Sequence, residues 1–268
     1  MFRRVGIYLI FSIIALFTIS CSQYSKIQKS QDFRYKYEKA LEYYDREDYF
    51  KALNLFDQVI PFYRGNQEAE DIAYKYGYAY YHQKEYIMAS YYFDRFAKTY
   101  PRTERAEECM FMVPYCKYLD SPKYKLDQTN TQQAINDFQL FVNAYPTSSR
   151  VEECNQLIDE LRIKLQKKEF EIAKLYLKME KYEAAVVSFD NLLLDYPDTQ
   201  YREDAMFYSI KSYYYYAHKS VRSKKIERYQ EAADIYNQFI AMYPESEHMR
   251  DVEYMYNKAM KEINRQKK

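Results

Sequence analysis

Three histidines and four cysteines are the residues of this 268-residue sequence best suited to metal binding or nucleophilic catalysis, and their spacing favours neither. His82, His218 and His248 fall on separate predicted helices, and the sequence contains no His-Glu-x-x-His segment. It also lacks a glycine-rich phosphate loop and a Gly-x-Ser-x-Gly segment. The sequence therefore predicts no catalytic site, no metal site and no cofactor.

The cysteines are not spaced for cross-linking. Cys109 and Cys116 are seven residues apart on one predicted helix, which separates them by about 10 Å along its axis. A disulfide needs Cα atoms within about 7 Å of each other, so both are predicted to be buried or unused thiols. Cys154 has no evident partner in the sequence. Stability is therefore expected to come from packing.

Tyrosine is the third informative residue type, with 35 in the chain against 3 glycines and no tryptophan. A tyrosine ring can cover apolar surface while its hydroxyl stays in water or donates a hydrogen bond. The net charge is only +1, so no general attraction to nucleic acid is expected. These features direct attention to surfaces that hold other proteins, and to the helices that would position them.

The helices are predicted from a repeated pattern that is clearest between Ile72 and Pro101. There the tetratricopeptide pattern is matched by Gly77, Tyr80, Ala89, Phe93 and the closing Pro101. The step from a small residue to an aromatic recurs at Ala52–Phe56, Ala134–Phe138, Ala185–Phe189 and Ala232–Tyr236, and Tyr-Pro pairs close the last four units at Pro101, Pro146, Pro197 and Pro244. The sequence predicts an all-α fold, an α-solenoid of about five tetratricopeptide repeats with a C-terminal capping helix.

The repeats fall into two predicted groups. Residues 34–146 hold repeats one to three, and residues 147–268 hold a long connecting helix, repeats four and five and the capping helix. The long helix is predicted for Arg150–Met179 because no glycine or proline interrupts it. Three local features are also predicted: a kink at Pro114, an inserted loop at Asp120–Thr131 and a basic insert at His218–Arg228.

Residues 1–20 have the features of an export signal, with Arg3 and Arg4 before an apolar run. The segment ending at Cys21 (TISC) resembles the lipobox of bacterial lipoproteins, although Thr18 stands where that family usually has leucine. The resemblance implies that Cys21 receives a diacylglycerol and becomes an acylated N-terminus, with residues 21–33 as lipidated N-terminus and tether. Ser22 favours the outer membrane. The alternative is a plain signal peptide with an incidental cysteine.

A concave groove is predicted along the first helix of each repeat. Its predicted lining is Tyr37, Tyr44, Tyr74, Tyr78, Tyr81 and His82. Such a trough suits an extended peptide, because rings supply contact area at low entropic cost and hydroxyls can bond to peptide amides. The alternative is that about half of these side chains simply pack against the neighbouring repeat.

Over nearly its whole length the chain resembles the BamD family of lipoproteins, components of the β-barrel assembly machinery of the outer membrane. The signal and lipid cysteine, the five repeats, the long central helix, the insert before Ala134 and the run Asp190–Thr199 (DNLLLDYPDT) carry this resemblance. It implies a lipid-anchored, non-enzymatic protein on the periplasmic face of the outer membrane.

The family also implies partners. Its N-terminal repeats recognise targeting segments of unfolded outer-membrane proteins, which assigns the tyrosine-lined groove to these clients. Its C-terminal repeats dock the periplasmic domains of the barrel subunit BamA, which assigns docking to Arg202, Glu203 and Asp204. In the family an arginine directly precedes the aspartate, whereas here Glu203 has that place. Another periplasmic tetratricopeptide lipoprotein, serving peptidoglycan synthesis, division or glycan uptake, is the alternative.

Overall fold

The computed structural model describes residues 23–267, and within that range the chain forms twelve α-helices and no β-strand. The first helix, α1, covers residues 23–29. The others are α2 (Phe33–Asp45), α3 (Tyr49–Tyr63), α4 (Gln67–His82), α5 (Tyr86–Thr99), α6 (Arg105–Asp120), α7 (Thr129–Ala144), α8 (Val151–Lys178), α9 (Tyr182–Asp195), α10 (Arg202–His218), α11 (Arg222–Met242) and α12 (Met249–Lys267). The predicted all-α fold is confirmed.

Three of the helix pairs are joined by the same tight turn. Glu47, Lys84 and Glu180 occupy the turns α2–α3, α4–α5 and α8–α9, and each has a left-handed backbone, with φ of 61°, 62° and 56°. In every turn two backbone amides donate to the last carbonyls of the preceding helix over 2.9–3.0 Å, which satisfies groups that a helix end leaves unpaired. A fully buried alanine follows five residues later in each case. The repeats therefore share a turn geometry as well as a sequence pattern.

The small and aromatic residues of the pattern form the helix crossings, as predicted. Ala89 and Phe93 of α5 are fully buried. A Cβ atom at Gly77 of α4 would lie 2.8 Å from Cε1 of Phe93, so the ring needs the space that glycine leaves. The corresponding pairs Ala52–Phe56, Ala134–Phe138 and Ala185–Phe189 are also fully buried. Consecutive hairpins of this kind are the building block of a tetratricopeptide α-solenoid.

The chain divides into two compact units. The first contains the described residues up to Ser121 together with Asn130–Asn155, and the second contains Pro122–Thr129 and the chain from Gln156 onwards. The long helix α8 is continuous through both, in keeping with its freedom from glycine and proline. In the second unit α12 packs on α10 and α11 and buries Val252 and Met255 in their shared core.

The N-terminal tether prediction needs a correction, because residues 23–29 are helical and packed. Ile27 is 2% exposed in the core of the first unit, and the ring of Tyr24 meets that of Tyr43 edge to face at 5.5 Å. Burying an isoleucine contributes about 1.5–3 kcal/mol, which holds α1 against α2 and α3. Cys21 and the predicted signal at residues 1–20 lie outside the described residues.

The basic segment predicted as an insert is also corrected, because α11 begins at Arg222 and only residues 219–221 separate it from α10. The guanidinium carbon of Arg228 lies 3.5 Å from the ring centroid of Tyr216, and this arginine also donates to the hydroxyl of Ser220. With no glycine or proline between Arg222 and Tyr229, nothing stops the helix from extending. Pro114 lies inside α6, as predicted, and the helix runs from Arg105 to Asp120.

A candidate peptide-binding groove

The predicted groove residues come from α2 and α4, the first helices of two hairpins of the first unit. Because residues three and four apart share one face of a helix, Tyr74, Tyr78 and Tyr81 form one stripe along α4. Their ring centroids are 4.8 Å apart for Tyr74 and Tyr78, and 6.1 Å apart for Tyr78 and Tyr81. We use the name tyrosine groove for the surface lined by Tyr44, Tyr74, Tyr78, Tyr81, His82, Glu108 and Tyr115.

Glu108 of α6 accepts hydrogen bonds from two tyrosines of α4. Tyr74 donates to its Oε2 over 2.8 Å, and Tyr78 donates to its Oε1. Burial, together with the bond to Glu108, raises the pKa of Tyr74 to about 12. The same causes raise the pKa of Tyr78. Both hydroxyls therefore stay protonated, link α4 to α6 and are already engaged within the unit.

The charged groups beside the stripe pair with one another. Asp71 Oδ1 lies 2.9 Å from Lys75 Nζ and 3.2 Å from Arg105 Nη1. The guanidinium of Arg105 lies 4.4 Å from the ring centroid of Tyr74, within the range of a cation–π contact. The tyrosine groove therefore presents aromatic faces and edges with little uncompensated charge.

Tyr81 and His82 lie at the C-terminal end of α4. The ring of Tyr81 is 6.5 Å from that of Tyr115 on α6. His82 is exposed on one side and stacks on Tyr49 of α3 at 4.8 Å, with the planes 13° apart. These two residues end the stripe with ring surfaces from three helices.

Tyr44 and Tyr37 of α2 have different surroundings. Tyr44 packs edge to face on Tyr49 at 5.4 Å, its pKa is raised by burial, and the ammonium of Lys75 lies 5.7 Å from its ring. The ring of Tyr37 lies against Tyr63 at 5.0 Å, at the opposite end of α2. Within the described residues no ring contact joins Tyr37 to the α4 stripe. Tyr44 is linked to the stripe through Tyr49, which stacks on His82, so ring contacts connect five of the six predicted side chains and leave Tyr37 outside this network.

Sequence reasoning missed the contribution of α6. Tyr115 follows Tyr81 by 34 residues, which is the tetratricopeptide period, so counting one repeat further would have found it. The same count from Tyr74 reaches Glu108. The pairing of that carboxylate with two hydroxyls had no local signal, because it joins residues 30 and 34 positions apart.

The predicted docking residues form the first turn of α10 in the second unit. Arg202 donates from Nη1 to the carbonyl of Pro197 over 2.8 Å. Asp204 Oδ1 lies 2.9 Å from Nε2 of His248, whose ring stacks on Phe207 at 4.0 Å. Asp204 and its neighbour Glu203 are also favourably placed at the positive end of the helix dipole. Arg202 and Asp204 are therefore held by contacts within their own unit.

The three described cysteines are free and buried. Burial raises the pKa of Cys116 to about 12 and that of Cys154 to about 11, so both thiols stay protonated. No group of three or more metal-ligating side chains is found in the described part of the chain. None of the described helices combines the length and apolarity that a membrane crossing requires.

Residues 29–228, about three quarters of the chain, match the family model YfiO, described as an outer membrane lipoprotein. No curated protein sequence matches significantly. Among solved structures, the TPR2AB-domain:pHSP90-complex of yeast Sti1 is similar at 11% identity and a TM-score of 0.37, covering 85% of this chain and 98% of that one. A tetratricopeptide repeat protein from Parabacteroides merdae is similar at 15% identity and a TM-score of 0.34, covering 88% and 79%.

Proposed function

Because this chain belongs to the YfiO family of outer membrane lipoproteins, we propose that it is a non-enzymatic scaffold of the β-barrel assembly machinery, equivalent to BamD. It is anchored by lipid at Cys21, faces the periplasm, and promotes the insertion of outer-membrane proteins. The observation that carries this proposal is the family match, which extends over residues of both structural units.

The first unit supplies the surface for unfolded clients. The tyrosine groove offers ring area from α2, α4 and α6, and aromatic rings bind apolar and aromatic side chains with little loss of side-chain entropy. The Tyr74 and Tyr78 hydroxyls donate to Glu108, which fixes the rings in place and leaves neither hydroxyl hydrogen available to a client. The groove therefore suits recognition of exposed aromatic and apolar side chains in an extended segment, as in the C-terminal peptides of β-barrel proteins.

The second unit supplies the docking surface for the periplasmic domains of BamA. Arg202, Glu203 and Asp204 lie side by side in one helical turn and present both signs of charge. Arg202 is held by Pro197 and Asp204 by His248, which lowers the entropy that docking these two side chains would cost.

Recovery of partners from solubilised outer membranes tests the proposal, with the full chain carrying a C-terminal tag. BamA should be retained, and Arg202→Glu should reduce its recovery, whereas Lys261→Glu, an exposed lysine of α12 with the same charge change, should not. Recovery of peptidoglycan or division enzymes in place of BamA would favour the alternative scaffold and refute this one.

Membrane attachment is tested separately. Since acyl chains contribute about 0.8 kcal/mol per buried methylene, Cys21→Ser should move the protein from the membrane pellet to the soluble fraction. Lipid labelling, which we expect for the wild type, should be absent from the Cys21→Ser protein. A Cys21→Ser protein that still pellets in the absence of BamA would contradict attachment by lipid.

A further inference from the structure

The second unit contains its own groove, separate from the tyrosine groove and from the docking turn. It has a volume of about 920 Å³ and lies between the C-terminal half of α8, the start of α9 and the middle of α10. The segment Pro122–Thr129, which belongs to this unit, closes one side. Lys168 of α8 donates from Nζ to the carbonyl of Leu126 over 2.7 Å and holds that segment in place.

The floor of this groove is apolar and uncovered. Ile172 and Leu175 on α8 are 38% and 53% exposed, although both line a concavity rather than a convex surface. Tyr182 and Tyr215 stack at 5.4 Å with their planes 22° apart and form one wall. Exposed apolar side chains gathered in a concave site are typical of a surface that binds a partner.

The rim of the groove is cationic. Five lysines line it, against the two carboxylates of Glu171 and Glu180: Lys125, Lys168, Lys174, Lys178 and Lys211. Glu171 lies 3.7 Å from Lys174, and Glu180 lies 3.6 Å from Lys219 outside the groove. Within the described residues, the ion pairs of this groove involve Lys174 and Lys219 and not Lys125, Lys178 or Lys211; Lys125 and Lys211 lie over the rings of Tyr124 and Phe207. The groove therefore has an excess of positive charge that the unit itself does not neutralise.

This charge distribution differs from that of the tyrosine groove. There Asp71 is shared by Lys75 and Arg105, and Glu108 accepts two hydroxyl hydrogen bonds. The two grooves consequently suit different ligands, one aromatic and nearly neutral, the other apolar and anionic.

The shape of the second groove selects among anionic ligands. A flat lipid surface reaches the lysine rim but not the apolar floor. A free phosphate has no apolar part that could contact Ile172 and Leu175. A peptide can place apolar side chains on the floor and carboxylates against the rim at the same time. We propose that this groove binds an acidic segment of a protein partner that carries apolar side chains between its carboxylates.

The proposal is tested with the full chain in detergent and a fluorescein-labelled peptide in which Asp and Glu alternate with Leu and Phe. A second peptide, with Gln and Asn in place of the acids, serves as the ligand control. Fluorescence anisotropy at physiological salt should show binding of the acidic peptide at least about tenfold tighter than of its amide counterpart.

Two sets of variants locate the site. The double change Lys178→Glu and Lys211→Glu should weaken acidic-peptide binding about tenfold or more, whereas Lys224→Glu with Lys258→Glu, exposed lysines of the same unit outside the groove, should leave it nearly unchanged. Leu175→Ala should weaken binding several-fold without changing the net charge. Circular dichroism should show the same helical content for every variant.

Three results would overturn the proposal. Equal binding of the acidic and amide peptides would show that the groove does not select for acidic side chains. Equal weakening by the two pairs of lysine changes would indicate general charge attraction. Vesicles containing phosphatidylglycerol could displace the peptide and depend on Lys178 and Lys211, which would make the ligand a lipid headgroup. The test does not depend on β-barrel clients, because β-barrel C-terminal peptides should bind the Lys178→Glu, Lys211→Glu variant as they bind the wild type.

Discussion

The carboxylate of Glu108 on α6 accepts a hydrogen bond from the hydroxyl of Tyr78 on α4. The hydroxyl of Tyr74 donates to the other oxygen of the same carboxylate over 2.8 Å. One side chain thereby fixes two rings of the tyrosine groove from the neighbouring repeat. The arrangement separates two roles, since hydroxyls hold the rings in position and ring surfaces remain for a ligand.

Replacing Glu108 should therefore destabilise the first unit. Glu108→Ala leaves two half-buried hydroxyls without their acceptor, and we expect a loss of about 1–2 kcal/mol in the free energy of unfolding. Glu108→Gln should cost less, because its amide oxygen still accepts one hydroxyl. Urea unfolding measures both. The neighbouring change Glu107→Ala is the control and should stay within about 0.5 kcal/mol of the wild type; equal losses for the two alanine variants would contradict the bridging role.

Gly77 should not tolerate a side chain. A Cβ atom there would lie 2.8 Å from the buried ring of Phe93, so Gly77→Ala should destabilise the protein by about 1–2 kcal/mol, even though alanine favours helix by about 1 kcal/mol. The check is a double-mutant cycle by thermal or urea unfolding. Phe93→Leu should reduce the loss of unfolding free energy caused by Gly77→Ala. It should not change the loss caused by Gly65→Ala, because Gly65 has a φ of 86° and no atom within 4 Å of the place a Cβ atom would take, so any loss there comes from the backbone. Additive effects in both combinations would disprove the contact.

Asp190 should make stability depend on pH. This half-buried carboxylate on α9 accepts hydrogen bonds from Ser209 and Tyr213 of α10, and burial raises its pKa above the usual 3.8 despite those bonds. The folded state therefore holds the proton of Asp190 more tightly than the unfolded state does. The contribution of this proton to stability is complete below pH 3.8, the usual pKa, and is lost as pH rises through the folded pKa.

The measurement compares the wild type with Asp190→Asn, which cannot titrate, by urea unfolding across that pH range. The variant should gain stability relative to the wild type as pH rises. Tyr213→Phe should make the wild-type loss larger, because Tyr213 lowers the pKa of Asp190. A constant difference between wild type and Asp190→Asn at all pH values would show that Asp190 is not shifted.

The helix crossings could be predicted from the sequence because each depends on residues close together in the chain. Ala89 and Phe93 are one helical turn apart, and the same step recurs in every repeat, so chance matches average out. The long helix α8 was predictable for a related reason, since the absence of glycine and proline is a local property.

Features that depend on distant partners could not be read in this way. The basic segment ending at Arg228 is polar, which favours a loop, yet Arg228 contacts Tyr216 of α10 and Ser220 of the connection, and these contacts stabilise the segment as part of α11. Ile27 stands in a polar stretch, and only the presence of a receiving core makes α1 a packed helix. The grouping of lysines in the second groove likewise requires the positions of α8 and α10.

The buried thiols should be unreactive in the folded protein. Burial keeps Cys109, Cys116 and Cys154 protonated by raising each pKa, and only the thiolate reacts readily with iodoacetamide or maleimide. Mass spectrometry should find these three cysteines unlabelled at pH 8 and all labelled after denaturation in guanidinium. Fast labelling of any of the three in the native protein would contradict its buried position.

Crosslinking from the tyrosine groove in growing cells tests the central claim most directly. A benzophenone amino acid at position 81 should give adducts with unfolded outer-membrane β-barrel proteins, whereas the same group at position 91, an exposed tyrosine outside the groove, should give few. The Tyr78→Ala change should lower the yield at position 81. Adducts with enzymes of peptidoglycan synthesis or cell division would contradict the account. Equal yields of β-barrel adducts at positions 81 and 91 would contradict it as well.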